Sequence, residues 1–179
     1  SSVVPSVTNV VRDAVESLCG ISVMVVGPGV KTGISIVIDN PAQLGSDLVV
    51  DAVAGVSEYS VPQIIIDMGT ATTITAIDRE KRFLGGAIMP GVRVSQDALI
   101  DRTSQLPKIA LEKPKKVIGS NTIDCIKSGI IYGNAGAIDG IIDRFREELG
   151  DDCTVVATGG LAEVIVPLCK NKIIIDEDL

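Results

Sequence analysis

The sequence predicts an α/β fold, a mixed sheet flanked by helices, and three observations carry that reading. A β-branched run at 64–67 reverses at Gly69-Thr70 into a second run at 72–78, the pattern of a β-hairpin. The segment 122–149 repeats its apolar residues with helical period, at Ile126, Ile130, Ala137, Ile141, Phe145 and Leu149. Directly after it, Thr154-Val155-Val156-Ala157 reads as a strand running into a glycine turn and a further helix.

Each element follows from local chemistry. Ser1-Ser2-Val3-Val4-Pro5 reads as the end of a strand entering a helix, with no signal-peptide pattern. Val10, Val11, Ala14, Val15 and Leu18 recur at helical spacing, and Gly20 ends that helix. A short strand is expected at 21–26, followed by Gly27-Pro28-Gly29-Val30-Lys31-Thr32-Gly33 and a strand at 34–38. The Lys31-Thr32 pair is no P-loop, because Val30 rather than Gly precedes the lysine and a strand rather than a helix follows.

Asp39-Asn40-Pro41 turns the chain into a helix expected over 41–56, with proline early, where its missing N–H costs nothing. Leu44, Leu48, Ala52 and Val56 share one face of it, while Asp47 and Asp51 stand one turn apart on another. Two acids so placed form either a solvated face or part of a polar site. Exposed acids being common, the sequence favours the solvated face. Beyond the hairpin, strands are expected at 82–86 and 87–89, then a helix from Val92 to about Leu106-Pro107 and a basic linker at 112–116. The long helix also carries Gly129, Gly133, Gly136 and Gly140, which predict a tight helix contact inside the monomer or across a dimer.

Composition narrows the chemistry. The 179 residues are 46% hydrophobic and 22% charged, and no apolar run is long enough to span a bilayer. A net charge of -7, with two Tyr, two Phe and no Trp, argues against a nucleic-acid surface. Cys19, Cys125, Cys153 and Cys169 are scattered in apolar surroundings, which points to reduced core thiols in a cytoplasmic protein rather than disulfides or zinc. With no histidine, Ser-His and Cys-His catalysis are excluded, and a proton acceptor must be a carboxylate, Lys, Tyr or Cys.

The densest chemistry lies at Ile64-Ile65-Ile66-Asp67-Met68-Gly69-Thr70-Ala71-Thr72-Thr73, where a buried strand delivers an acid, a glycine and hydroxyls to a turn. Such a turn suits a nucleotide phosphate, the Asp holding a neutralising cation and the Thr donating to phosphate oxygens. A structural turn with an incidental Asp is the alternative. At Thr158-Gly159-Gly160-Leu161-Ala162, a second glycine turn precedes a helix and can face backbone amides towards a ligand.

Taken in order, Gly27-Pro28-Gly29-Val30-Lys31-Thr32-Gly33, Asp39-Asn40-Pro41, Gly45-Ser46-Asp47, the Asp67–Thr73 turn, Gly85-Gly86-Ala87-Ile88-Met89-Pro90-Gly91, Ile118-Gly119-Ser120-Asn121-Thr122, Ser128-Gly129 and Thr158-Gly159-Gly160-Leu161-Ala162 resemble the type III pantothenate kinase family over nearly the whole chain. The resemblance implies the fold of the acetate and sugar kinase, Hsc70 and actin superfamily, with two ribonuclease-H-like domains around an ATP cleft. On that pattern residues 1–58 are the last part of the first domain and 59–179 most of the second. The implied reaction is transfer of the ATP γ-phosphate to the primary hydroxyl of pantothenate, the first step of coenzyme A synthesis.

Site roles follow by resemblance where residues match. Asp47 is implied as general base, and Gly45, Ser46, Asp47, Leu48 and Thr122 as the pantothenate side. Gly69 and Thr70 are implied on the ATP phosphates, Gly159 and Gly160 near the nucleotide, and Asp67 on a monovalent cation, potassium or ammonium, with magnesium left open. Such roles suit phosphoryl transfer, which needs an aligned hydroxyl, a carboxylate to take its proton and charge spread over the moving group. A homodimer with pantothenate near its interface is also implied.

Three departures from the family pattern stand out. The Asp-x-Gly-Asn-Thr phosphate loop and the closing helix are absent from this sequence, Leu48 stands where Arg is common, and Val37-Ile38 stand where Arg-Tyr is frequent. They keep open a non-catalytic homologue acting as a nucleotide-binding accessory protein and, more weakly, another actin-like ATPase.

Overall fold

A computed structural model of the chain describes residues 5–26, 30–103 and 106–179. The expected strand end at Ser1–Val4 and the Gly27-Pro28-Gly29 part of the first glycine motif lie outside the described residues.

Among the described residues six strands form one sheet in the order β1-β4-β3-β2-β5-β6. These are β1 (Ser35–Ile36), β2 (Gln63–Met68), β3 (Ala71–Ile77), β4 (Arg82–Pro90), β5 (Thr154–Thr158) and β6 (Ile174–Ile175). β2, β3 and β4 form an antiparallel meander, while β5 pairs in parallel with β2, and β6 with β5. An antiparallel trio extended by parallel strands beside its first member is the ribonuclease-H-like arrangement that the resemblance implies.

The parallel step from β4 to β5 needs a crossover. It is provided by α3 (Val92–Asp101) and the 28-residue α4 (Thr122–Leu149). Both ends of α4 fall where the periodicity places them. Asn121 caps its first turn by accepting from Asp124 N at 3.0 Å, and Gly150 N closes its last by donating to Arg146 O.

The two faces of the sheet are covered unequally. Against one face pack α4 and the four-residue α5 (Ala162–Ile165), burying Ile64, Ile66, Ile74 and Val155 with Ile131, Ile138 and Ile142. On the other, α2 (Ser46–Glu58) sets Ala52 against Ile65, Ile77 and Phe83. Because β2 is buried on both faces, its apolar run is continuous rather than alternating. A second tie holds α4 to the chain's last segment. The buried Asp139 carboxylate accepts from Lys170 N at 2.8 Å, Asn171 N at 2.9 Å and Asn171 Nδ2 at 3.1 Å.

Several expectations need correction. Residues 21–26 form no strand, since no neighbouring strand among the described residues offers them hydrogen-bond partners. The helix expected over 41–56 is a short 3-10 turn at Pro41–Gln43, a break at Leu44-Gly45, and then α2. Residues 82–90 make one strand rather than two, and α3 stops at Asp101. Helix α1 (Pro5–Cys19) runs as expected to Gly20 but leaves Val10, Val11 and Leu18 exposed. Of the four cysteines only Cys153 is buried, Cys169 is half-buried, and Cys19 and Cys125 are exposed; all four are free thiols.

The α4 glycines also differ from the simplest expectation. A Cβ on Gly129, Gly133 or Gly136 would meet nothing within 4 Å, so among the described residues no close helix contact is made at these glycines. Of the two contacts the glycines predicted, the one inside the monomer is not observed.

Candidate active site

The polar ends of three elements converge on one cleft of about 420 Å³. Its walls comprise Asp47 and Asp51 of α2, Asp67 at the end of β2, Thr158 at the end of β5 with Gly159-Gly160 after it, Glu163, and Glu177 with Leu179. Among the described residues no Lys or Arg lines it.

Helix α2 fixes the first acid. Gly45 stands at its N-cap in extended conformation, Ser46 opens the helix, and Asp47 falls in the first turn, where a carboxylate is favoured by the helix dipole. Asp47 Oδ1 accepts from Leu48 N at 2.9 Å. Leu48 itself turns away from the cleft and packs on the Ala52, Ile65, Ile77 and Phe83 cluster. An Arg-to-Leu exchange there therefore trades a polar contact for core packing.

Asp51 corrects the sequence reading. Instead of a solvated face, the i,i+4 pair Asp47 and Asp51 borders the cleft. Burial first, with Asp67 and Asp47 adding, pushes the Asp51 carboxyl up to about 6. Burial, with Asp47 adding, also raises Asp67.

The Asp51 shift has a pH consequence. A carboxyl raised in the folded state keeps its proton at a pH where the unfolded chain has lost it. The stability this group contributes is therefore fullest below about pH 4 and falls as pH rises through about 6. Asp51→Asn is accordingly expected to raise stability at pH 7 by about 1 kcal/mol after allowing for solvent screening. That corresponds to about 3 °C in a domain of this size. At pH 3.5 variant and parent should melt together; equal melting temperatures at pH 7 would show the carboxylate to be fully solvated.

The Gly69-Thr70 turn joins β2 to β3, and both residues are exposed. Behind the turn stands Gly91, whose Cβ, were there one, would lie 2.2 Å from Thr70 O and 2.8 Å from Gly69 O. The turn thus lies directly against the start of α3. Gly69 and Thr70 are not among the residues lining the cleft, whereas Asp67, two residues earlier, is. On the other side of β2, Gly159 has φ +92, and a Cβ there would come within 2.7 Å of Met68 N and C. Only glycine lets the turn after β5 lie so close to the end of β2.

Thr122 does not join this group. It stands at the start of α4 and lines a separate, more apolar cavity of about 630 Å³ with Leu99, Ser120, Asn121, Cys125 and Ile126. Gly45, Ser46, Asp47, Asp67, Gly159 and Gly160 are therefore brought to one end of the sheet, and Thr122 to another place on the chain. Thr158, Glu163 and Glu177 were missed by the sequence reading. Thr158 carried a signal, a hydroxyl at the end of an apolar strand immediately before two glycines; the two glutamates carried none.

The family described as type III pantothenate kinase matches residues 1–144. A curated type III pantothenate kinase from Bacillus cytotoxicus is 45% identical over 165 residues, which cover 92% of this chain. The match covers 63% of that relative, so this chain spans less than two thirds of its length. Among solved structures, a Baf-family protein from Campylobacter jejuni superposes with a TM-score of 0.55 at 18% identity, over 93% of this chain and 70% of that one. That likeness concerns the fold alone.

Proposed function

The chain belongs to the type III pantothenate kinase family, and from that premise we propose that it phosphorylates pantothenate with ATP in coenzyme A synthesis. The observation carrying the proposal is the meeting of Asp47, Asp67 and Gly159-Gly160 in one cleft. In this reading Asp47 takes the proton of the pantothenate hydroxyl as it attacks the γ-phosphate, held one helical turn into α2 by the Gly45-Ser46 start. Gly45, Ser46 and Thr122 meet pantothenate, and Leu48 forms apolar support beneath that side. Gly69 and Thr70 at the hairpin rim meet the ATP phosphates, and Gly159-Gly160 lie beside the nucleotide.

A cation fits the residues present. The cleft offers oxygen ligands and no basic side chain, so a nucleotide phosphate there needs positive charge from elsewhere. Among the described residues no group of three or more His, Cys, Asp or Glu side chains is arranged to hold a metal ion. A monovalent ion at Asp67, potassium or ammonium, supplies that charge in this reading, and magnesium carried by the nucleotide phosphates is compatible with the same lining. When bound, the ion supplies the charge that lets phosphate oxygens approach Asp67.

Thr122 and the open glycine face both lie on α4, at its start and along its middle. We infer a homodimer built on this face, a cytoplasmic assembly without nucleic acid or membrane. No described helix is long and apolar enough to cross a membrane. Gly133→Leu is expected to shift the dimer to monomers in sedimentation equilibrium, since one large side chain blocks close approach of a second helix. An unchanged mass would remove α4 from the interface.

The kinase reading is tested by pantothenate-dependent ADP release from the full-length protein, with and without potassium. Release that needs both supports it. Nucleotide binding with no such release would select the accessory-protein alternative, which Leu48 and Ile38 favour by removing acceptor-side contacts.

A further inference from the structure

Across the end of the sheet runs a row of oxygen atoms that the fold itself leaves unused. Asp67 on β2 is the register partner of Thr73 on β3 and of Thr158 on β5. Register partners share a face of the sheet. A carboxylate therefore stands between two hydroxyls. Thr158 is only 7% exposed, lines the cleft, and makes no side-chain hydrogen bond among the described residues. Thr73 Oγ1 is buried and likewise has no partner.

A fully buried hydroxyl without a partner, such as that of Thr73, costs about 1–3 kcal/mol, whereas the Thr158 hydroxyl borders the cleft. Strand β5 ends in Thr although valine would fill the same volume, which sets a hydroxyl without a protein partner at the cleft. The position is explained once a ligand in the cleft uses the hydroxyl. That ligand has to be compatible with the adjacent Asp67 charge, which no Lys or Arg lining the cleft offsets. An anion alone would be repelled, so the ligand is a cation.

We infer that the Thr158 hydroxyl is a direct oxygen ligand of the monovalent cation held at Asp67. One lone pair meets the ion while the hydroxyl proton is left to donate to the Asp67 carboxylate. Because Thr158 is followed at once by Gly159-Gly160, the same peptide segment carries the cation ligand and the nucleotide turn. Loading the ion thus fixes the backbone on which the nucleotide rests. The inference rests on the kinase reading for the presence of the ion, and it adds a ligand that the motif comparison did not supply.

The test uses the full-length protein with a non-hydrolysable ATP analogue and no pantothenate, following thermal unfolding as potassium chloride replaces tetramethylammonium chloride. Stabilisation by an ion that binds only the folded state reports its affinity. Thr158→Val is expected to weaken the potassium midpoint about tenfold, the loss of about 1.4 kcal/mol, with its melting temperature in tetramethylammonium unchanged. Thr158→Ser is expected to return the midpoint to within about twofold of the parent, since it restores the oxygen. A valine variant that titrates like the parent overturns the inference. So does a serine variant as weak as valine, or a valine variant destabilised equally with and without potassium. Because no phosphorylation is measured, a protein that fails to act on pantothenate still gives a readable cation titration.

Discussion

Asp47→Asn is expected to lower the turnover of pantothenate by about a thousandfold, the central value for losing a positioned general base, while ATP affinity changes by less than about twofold. The exchange keeps the side chain's size and its ability to accept from Leu48 N, so the helix start should persist. It removes the one capacity the reaction needs there, acceptance of a proton. The nucleotide turn at Gly159-Gly160 stands on a different element and should not register the change. Single-turnover kinetics with a separate nucleotide titration separates the effects. Parent-like turnover would remove Asp47 from the base role, and a joint loss of turnover and ATP affinity would make it a structural residue of the cleft.

The second large effect is expected at Gly159. An alanine Cβ there would sit 2.7 Å from Met68 N and C and 2.8 Å from Met68 O, all backbone atoms of the central strand. None of them can swing aside as a flexible side chain would. The residue also has φ +92, which alanine adopts only under strain. Overpacking and strain together amount to about 3 kcal/mol, or about 9 °C in melting temperature, and nucleotide affinity should fall as the turn is pushed off β2. Gly160→Ala is the control, because a Cβ at that position meets nothing within 4 Å. Equal melting temperatures for the two variants would contradict the close approach.

What the sequence revealed about the fold was the part written locally. The Ile64-Ile65-Ile66 run, the hairpin turn and both ends of α4 are specified by neighbouring residues: β-branched chains, Gly69, the Asn121 cap and Gly150. Residues 21–26 have strand-like composition, yet composition does not provide a partner strand, and pairing is decided elsewhere in the chain. The glycine stripe shows the same limit. Small residues at Gly129, Gly133 and Gly136 announce a close approach without saying to what, and among the described residues nothing comes within 4 Å of a Cβ placed there.

The site was legible in its motifs and not in its grouping. Asp47, Asp67 and Gly159-Gly160 each stood out as a pattern, and they meet because β2 and β5 pair in parallel register with α2 above them. Asp51 looked like an ordinary exposed acid, since an i,i+4 pair on a helix reads the same whether it faces water or a cleft. Thr122 was grouped with Asp47 by resemblance, and a single chain holds the two in different cavities.

The central strand has a consequence for how this cleft can work. β2 is hydrogen-bonded along both edges and covered on both faces, so Asp67 is mounted on the least deformable part of the molecule. Beside it, Gly160 lines the same cleft, is exposed, and has open space where a Cβ would stand. One wall is thus a fixed bench, and the open lip of the cleft is at Gly160. A charged group on the bench needs no reorganisation when its counter-ion arrives, the condition under which electrostatic stabilisation is strongest, and the cost of fitting different occupants falls on the lip.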